Sequence, residues 1–127
     1  MLLGILTFLS GSALAHDPGL SAAEVRVLGD RIVAEVSFAP QDLAGIQPLE
    51  SDLLTIHDDN GPLERRSIRP GSSDQNSLHY LLEFSRSNGG KLRISAPVLA
   101  NLPRGHRQFC SVYDEANKLL AERLLSV

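Results

Sequence analysis

The sequence predicts an all-β fold, an immunoglobulin-like antiparallel sandwich of two sheets with about eight short strands. Three observations predict it. Apolar residues alternate with polar ones over short runs, turn residues separate these runs at intervals of roughly 8 to 12 residues, and no segment has the apolar spacing of a long helix. A small closed barrel fits the same pattern and is the second choice.

The first strands of the domain are predicted to form a hairpin. Residues 25–27 and 32–38 alternate apolar with other side chains, as in strands with one buried face. Gly29-Asp30 between them suits a two-residue type II′ turn. Pro40 and Pro48 bracket the next segment, which we expect to be a loop with about one helical turn.

A second hairpin is predicted in the middle of the chain. Residues 53–57 form its first strand, and Asn60-Gly61 is a strong signal for a tight hairpin turn. We therefore expect residues 63–68 to return beside that strand. Residues 69–74 have the composition of a polar loop.

The last third of the chain adds four predicted strands. Residues 78–84 form the first of them, and a glycine-rich turn at residues 88–90 leads into the second, at residues 91–95. Residues 107–113 and 119–125 are predicted to pair as the final hairpin.

The N-terminal segment has the features of a secretory signal peptide. Residues 2–9 are an apolar run too short to span a bilayer, and Ala13 and Ala15 are the small residues that signal peptidase requires. No lysine or arginine precedes the run, which departs from the usual pattern. We expect cleavage before His16, a single domain over residues 16–127, and a periplasmic or extracellular location.

Composition narrows the classes of partner. The chain has 12 basic and 15 acidic residues and a pI near 5.7, so it lacks the positive field that nucleic acid attracts. Nucleic acid is therefore not an expected partner. Cys110 is the single cysteine, which rules out a disulfide within the chain, and its alternating context predicts a buried side chain.

His16 is the candidate metal ligand with the clearest chemical reason. After cleavage, its α-amino group and ring Nδ1 can chelate one ion, and these nitrogen ligands favour Cu(II), or otherwise Ni(II). Pro18 lacks an N–H and stops coordination by amide nitrogens further along the chain. The other possible ligands are the remaining histidines, His57, His79 and His106. Their spacing matches no zinc motif, so a chain without any metal role is the alternative.

A polar group at the entry to the penultimate strand is a candidate interaction site. Arg104, Arg107 and Gln108 lie close together there, and Arg107 is suited to binding a carboxylate through two hydrogen bonds. The structural alternative is an ion pair between Arg107 and an acidic residue such as Glu122 on the adjoining strand.

Catalytic motifs are absent from the sequence. It contains no Gly-x-Ser-x-Gly segment and no glycine-rich phosphate loop. We therefore expect a binding module and not an enzyme. A hydrolase would need serine, histidine and acidic side chains to converge in one cleft.

Four segments carry a resemblance to a known family. They are residues 16–21 (HDPGLS), 38–43 (FAPQDL), 102–109 (LPRGHRQF) and 120–125 (LAERLL). Together they resemble the extracytoplasmic N-terminal domain of HupE/UreJ-type membrane proteins. The resemblance extends over nearly all of residues 16–127, although the middle is matched by pattern only.

The resemblance implies an accessory role at a membrane. In that family a hydrophobic portion associated with nickel or cobalt uptake follows the domain, and the present sequence holds no such portion. Transport itself is therefore not implied. What the resemblance implies is an exported domain whose partner is a membrane protein, or another protein at the outer face of the inner membrane.

Overall fold

Nine β-strands in two sheets are formed by residues 18–86 and 90–127, which are those that the computed structural model describes. Most of them coincide with the predicted alternating runs. The strands are β1 (Leu20–Val27), β2 (Arg31–Phe38), β3 (Thr55–Asp58), β4 (Gly61–Pro62), β5 (Arg65–Pro70), β6 (Leu78–Ser85), β7 (Arg93–Ser95), β8 (Arg107–Tyr113) and β9 (Leu119–Leu125).

The two sheets are unequal in size. The large sheet has six strands in the order β5-β6-β2-β1-β8-β9, and the small sheet has three in the order β4-β3-β7. Each sheet has two free edges. The predicted all-β sandwich of two sheets is therefore confirmed, and the closed barrel is wrong.

Both terminal hairpins were predicted. β1 and β2 are antiparallel, with Val27 opposite Ile32, and the Leu28 amide donates to the Arg31 carbonyl across the turn at 2.9 Å. Gly29 does not have a positive φ, so the turn is not of type II′ as predicted. β8 and β9 form the final antiparallel hairpin, with an irregularity after Val112.

The first strand also has a parallel neighbour, which the prediction of an antiparallel fold missed. β1 and β8 run in the same direction, and Ser21 lies beside Gln108 in their register. β2 occupies one edge of β1, and β8 takes the other. An alternating sequence specifies which face of a strand is buried but not the direction of its neighbour.

The predicted middle hairpin is largely wrong. Gly61–Pro62 returns beside β3 for two residues, with His57 opposite Pro62. Proline has no N–H to continue the ladder. The chain then crosses to the large sheet, where β5 pairs with β6. The place beside β3 is taken instead by β7, with Ile94 opposite Ile56.

Alternate side chains of both sheets meet in one core, as the period-two pattern predicts. The prolines at 40 and 48 begin short 3₁₀ turns, Pro40–Leu43 and Pro48–Glu50, and a third turn covers Pro97–Asn101. Cys110 is buried as predicted. The largest fully buried apolar side chains come from β1, β2, β6, β3 with the residues before it, and the third 3₁₀ turn: Val25, Ile32, Val36, Phe38, Leu53, Leu54, Ile56, Leu82 and Val98.

The predicted signal peptide, residues 1–15, lies outside the described residues, as does most of the predicted turn at residues 88–90. In the part of the chain that is described, no helix is long and apolar enough to cross a membrane.

Candidate functional site

Four buried polar side chains gather at one end of the sandwich. Ser21 lies near the start of β1, Asp42 in the first 3₁₀ turn, His106 just before β8, and Gln108 within β8. The parallel register places Ser21 beside Gln108, on the inner face of the large sheet. Buried polar groups need hydrogen-bond partners to offset the loss of water, so their contacts decide what this end of the domain can do.

The imidazole of His106 is the centre of the group. Its Nε2 lies 2.9 Å from the Ser21 Oγ, and its Nδ1 lies 3.7 Å from the Asp42 Oδ2. The second distance is too long for a hydrogen bond, so Nδ1 has no partner among the described residues. The ring of Phe38 lies beside the imidazole, with the ring centres 6.3 Å apart. The ring is therefore held in place with one nitrogen unused.

Burial sets the charge of this histidine. Removal from water lowers the pKa of His106 below its ordinary value of 6.5, and the nearby Asp42 carboxylate opposes that effect. The imidazole is therefore neutral at pH 7. A neutral imidazole has one protonated nitrogen and one with a free lone pair. In the tautomer with its proton on Nε2, the imidazole donates to the Ser21 Oγ and the lone pair of Nδ1 faces Asp42; in the other tautomer Ser21 donates to Nε2 and the Nδ1–H faces Asp42.

Asp42 holds the start of the described chain against this site. Its Oδ2 accepts a hydrogen bond from the Gly19 amide at 2.9 Å, and the Gly19 carbonyl accepts one from the Arg107 amide at 3.1 Å. Gly19 has a φ of +81°, a conformation that favours glycine. Pro40 begins the 3₁₀ turn that carries Asp42, and the Asp42 side chain is buried. Gly19, the residue just before β1, is therefore bonded both to Asp42 and to the residue that follows His106.

Gln108, like His106, has buried polar atoms without a hydrogen-bond partner among the described residues. Its side chain is fully buried, and neither its amide nitrogen nor its amide oxygen has a partner among the described residues. A buried amide without hydrogen bonds costs about 1–3 kcal/mol of stability. Together with His106 Nδ1, three polar atoms at this end of the core are unpaired. Such atoms mark a place that can receive a polar or charged group.

His106 lies between Ser21 and Asp42, as the histidine of a serine–histidine–aspartate catalytic triad lies between its two partners. A nucleophilic serine must reach the carbonyl that it attacks, whereas Ser21 is fully buried. The adjacent cavity of about 590 Å³ is bordered by His106 but not by Ser21. Asp42 also lies too far from Nδ1 to orient the ring through a hydrogen bond. The geometry fits a buried polar network better than an acyl-transfer site.

The predicted interaction residues separate into two groups. Arg104 and Arg107 are exposed and line the cavity of about 590 Å³ beside His106. Gln108 points inward instead, because successive side chains of a strand face opposite sides. Glu122 lies opposite Ser111, four residues further along β8, so the register does not place it beside Arg107 as the alternative required.

The other histidines lie elsewhere. His79 is on β6, where its Nδ1 lies 2.7 Å from the Glu35 Oε1 and its Nε2 lies 2.9 Å from the Ser77 Oγ. His57 is on β3, next to the buried Ile56 and therefore on the other face of the small sheet. His16 lies outside the described residues.

No protein-family model matches the chain, and no curated protein matches it. The resemblance to the HupE/UreJ type therefore stays a prediction from the four quoted segments. Within residues 18–86 and 90–127, no group of three or more histidine, cysteine or acidic side chains is placed to hold a metal ion.

Sequence reasoning missed Ser21 and Asp42. Both lie in segments that carry the family resemblance, but neither belongs to a catalytic or metal-binding motif, and each reaches His106 only through the packing of segments far apart in sequence. Asp42 follows Pro40 in a short 3₁₀ turn, where an acidic side chain is common and does not indicate a binding site. A local signal for the pair does not exist.

Proposed function

We propose that the chain is an exported binding module that holds a transition-metal ion at the Asp42–His106 end of the sandwich. His16, at the start of the processed chain, completes the site. Cu(II) is the preferred ion and Ni(II) the next, because the ligand set combines amine and imidazole nitrogens with a carboxylate. The domain acts as an accessory of a membrane protein, not as an enzyme.

The observation that carries the proposal is the unpaired Nδ1 of His106 facing the Asp42 Oδ2 at 3.7 Å. In the tautomer with its proton on Nε2, the Nδ1 lone pair and the Asp42 carboxylate face each other as two acceptors, and a cation between them satisfies both. A metal bound at about 2.0–2.1 Å to each atom sets them roughly 3 Å apart, so a small approach is enough. The hydrogen bond from Nε2 to Ser21 is the support that metal-bound imidazoles usually have.

The position of Gly19 supports a role for His16. His16 precedes Gly19 by three residues in the sequence, and the Gly19 amide is bonded to Asp42. Cleavage after Ala15 frees the α-amine of His16. That amine and its own ring would then supply two nitrogen ligands beside the two groups already in place.

The exposed arginines support a partner next to this site. Arg104 and Arg107 line the cavity beside His106, and guanidinium groups bind carboxylates well. An acidic segment of a membrane protein at the outer face of the inner membrane would fit there. The resemblance to the HupE/UreJ type supports the same kind of partner.

The proposal is tested on the full chain, exported and purified, with its N-terminus determined by intact mass. Calorimetry with Cu(II) should give one site per chain. His106→Gln, Asp42→Asn and His16→Ala should each weaken it by about tenfold or more, as loss of a ligand does. A chain that keeps one added methionine before His16 should bind equally weakly, because its α-amine is displaced.

His57→Gln and His79→Gln are the matched controls, and both should bind Cu(II) as the parent chain does. The metal role is wrong if all these variants bind alike, or if the purified chain still carries residues 1–15.

A structural or protein-interaction domain without a metal role is the second candidate. The free edge of the large sheet favours it, because β9 exposes three leucines, Leu119, Leu120 and Leu124. Exposed apolar side chains on an edge strand are suited to contact with another protein. Equal Cu(II) binding by all variants would favour this candidate.

A further inference from the structure

The small sheet covers only part of the large one, which leaves a groove along β8 and β9. The groove has a volume of about 780 Å³ and begins beside Leu28, at the end of β1. β7 and the residues before it form the opposite wall, through Leu92 and Ile94. The groove is independent of the Asp42–His106 site, because none of the residues of that site lines it.

The walls of the groove are mostly apolar. A volume of this size and such a lining are typical of sites for small organic ligands. Along the large sheet the apolar lining comes from Val112 on β8 and from Leu120, Ala121 and Leu125 on β9. Leu120 is 53% exposed, so the groove is open to solvent along β9.

The acidic residues at the groove are already engaged by the turns that carry them. The Asp114 Oδ1 accepts hydrogen bonds from the amides of Ala116 and Lys118, both at 2.9 Å. The Glu115 Oε1 accepts one from the Gly29 amide at 3.2 Å. These two carboxylates line one end of the groove, where each holds a turn through one of its oxygens.

Arg123, in contrast to these carboxylates, is not bonded to a turn. It lies opposite Cys110 in the β8–β9 register, on the face that lines the groove, between Ala121 and Leu125. Its Nη1 donates to the Glu122 carbonyl at 2.7 Å, and no carboxylate among the described residues forms an ion pair with it. Arg86 also borders the groove and already engages other groups. An exposed arginine without an acidic ion-pair partner among the described residues therefore lies beside the apolar side chains of β9.

We propose that this groove binds a single-chain amphipathic carboxylate, a fatty acid. The hydrocarbon chain lies along the apolar wall formed by β8 and β9, and the carboxylate pairs with the Arg123 guanidinium. A partner strand is a poorer fit, because it would pair with the free edge of β9 in the plane of the sheet and leave the groove empty.

The test uses laurate and dodecanol, which share a hydrocarbon chain and differ in the charged head. Each competes with a fluorescent fatty acid for the full chain. Arg123→Gln should weaken laurate binding by about tenfold, the loss expected for one charge-assisted hydrogen bond, and leave dodecanol binding unchanged. Ala121→Phe, which fills the groove, should weaken both ligands.

Arg66→Gln on β5, at the far edge of the large sheet, is the matched control and should change neither affinity. The proposal is overturned if laurate shows no saturable binding, or if Arg123→Gln weakens laurate and dodecanol equally. It is also overturned if Arg123→Gln leaves laurate binding intact and only promotes aggregation, because Arg123 would then serve to protect the sheet edge.

Discussion

The Nε2 of His106 lies 2.9 Å from the Oγ of Ser21, and both side chains are buried. This contact joins the residue just before β8 to the start of β1, beside the parallel register of the two strands. It also fixes which imidazole nitrogen remains free. The same hydrogen bond therefore supports the fold and prepares the candidate site.

Ser21→Ala should lower the free energy of unfolding by about 1–3 kcal/mol, because it leaves a buried imidazole nitrogen without a partner. Chemical denaturation measures the change. Ser95→Ala is the control, since Ser95 forms an exposed hydrogen bond of 2.7 Å with Thr55, and it should cost less than about 0.5 kcal/mol. Equal losses in both variants would contradict the role given to the buried contact.

Gln108→Leu should raise the free energy of unfolding by about 1 kcal/mol. The substitution replaces a buried amide without partners by an apolar side chain of similar size. Gln41→Leu, at an exposed position, controls for the general effect of added leucine and should be close to neutral. A marked loss of stability in Gln108→Leu would mean that the amide is hydrogen-bonded in solution.

Ile56→Ala should destabilise the domain by about 2–5 kcal/mol, as expected for a buried aliphatic side chain of a packed core. Ile56 is 1% exposed and comes from the small sheet, so the experiment also tests whether the two sheets share one core. Leu124→Ala on β9 is the control, because Leu124 is 50% exposed. If the two variants unfold at the same denaturant concentration, the small sheet does not pack as described.

The Cys110 thiol should react slowly in the folded chain. Burial raises its pKa from 9.0 to about 11, so at pH 8 the thiolate is about 100-fold rarer than in an unfolded chain. Reaction with dithionitrobenzoate, with and without guanidinium chloride, measures the difference. Equal rates in the two conditions would show an accessible thiol.

The same shift predicts a loss of stability at alkaline pH. The folded pKa lies above the unfolded value, so the folded chain holds the proton more tightly. The contribution of Cys110 to stability is therefore complete below pH 9 and is lost as the pH rises through 11. Cys110→Ala removes this part of the pH dependence, and unfolding curves between pH 8 and 11 should differ from the parent chain accordingly.

The sequence was sufficient for the fold class and for both terminal hairpins. Strands β1 and β2 alternate strictly enough to show which face is buried, whereas β8 and β9 place the polar Gln108 and Arg123 on the inner face; short turns determine the partners in both hairpins. The prediction that residues 63–68 pair with β3 was wrong, because the sheet that a strand joins depends on packing between segments far apart in sequence. After Pro62 the Leu63 amide still donates to β3, to the Ile56 carbonyl at 2.8 Å, and nothing local directs β5 to β6.

The candidate site could be predicted in part. His106 was among the expected ligands because histidine is chemically suited to metals at any position. Its partners Ser21 and Asp42 are common residue types, and a single sequence does not indicate that they meet. The inward direction of Gln108 follows from strand alternation, although a polar side chain at a buried position contradicts the usual pattern.

The parallel pairing of β1 with β8 affects the time at which the domain can form. During synthesis β1 emerges early, whereas its second neighbour is among the last segments to appear. Contacts between segments so far apart form slowly, because a long loop must close first. The large sheet therefore remains incomplete until β8 has been made, after all of its other strands except β9.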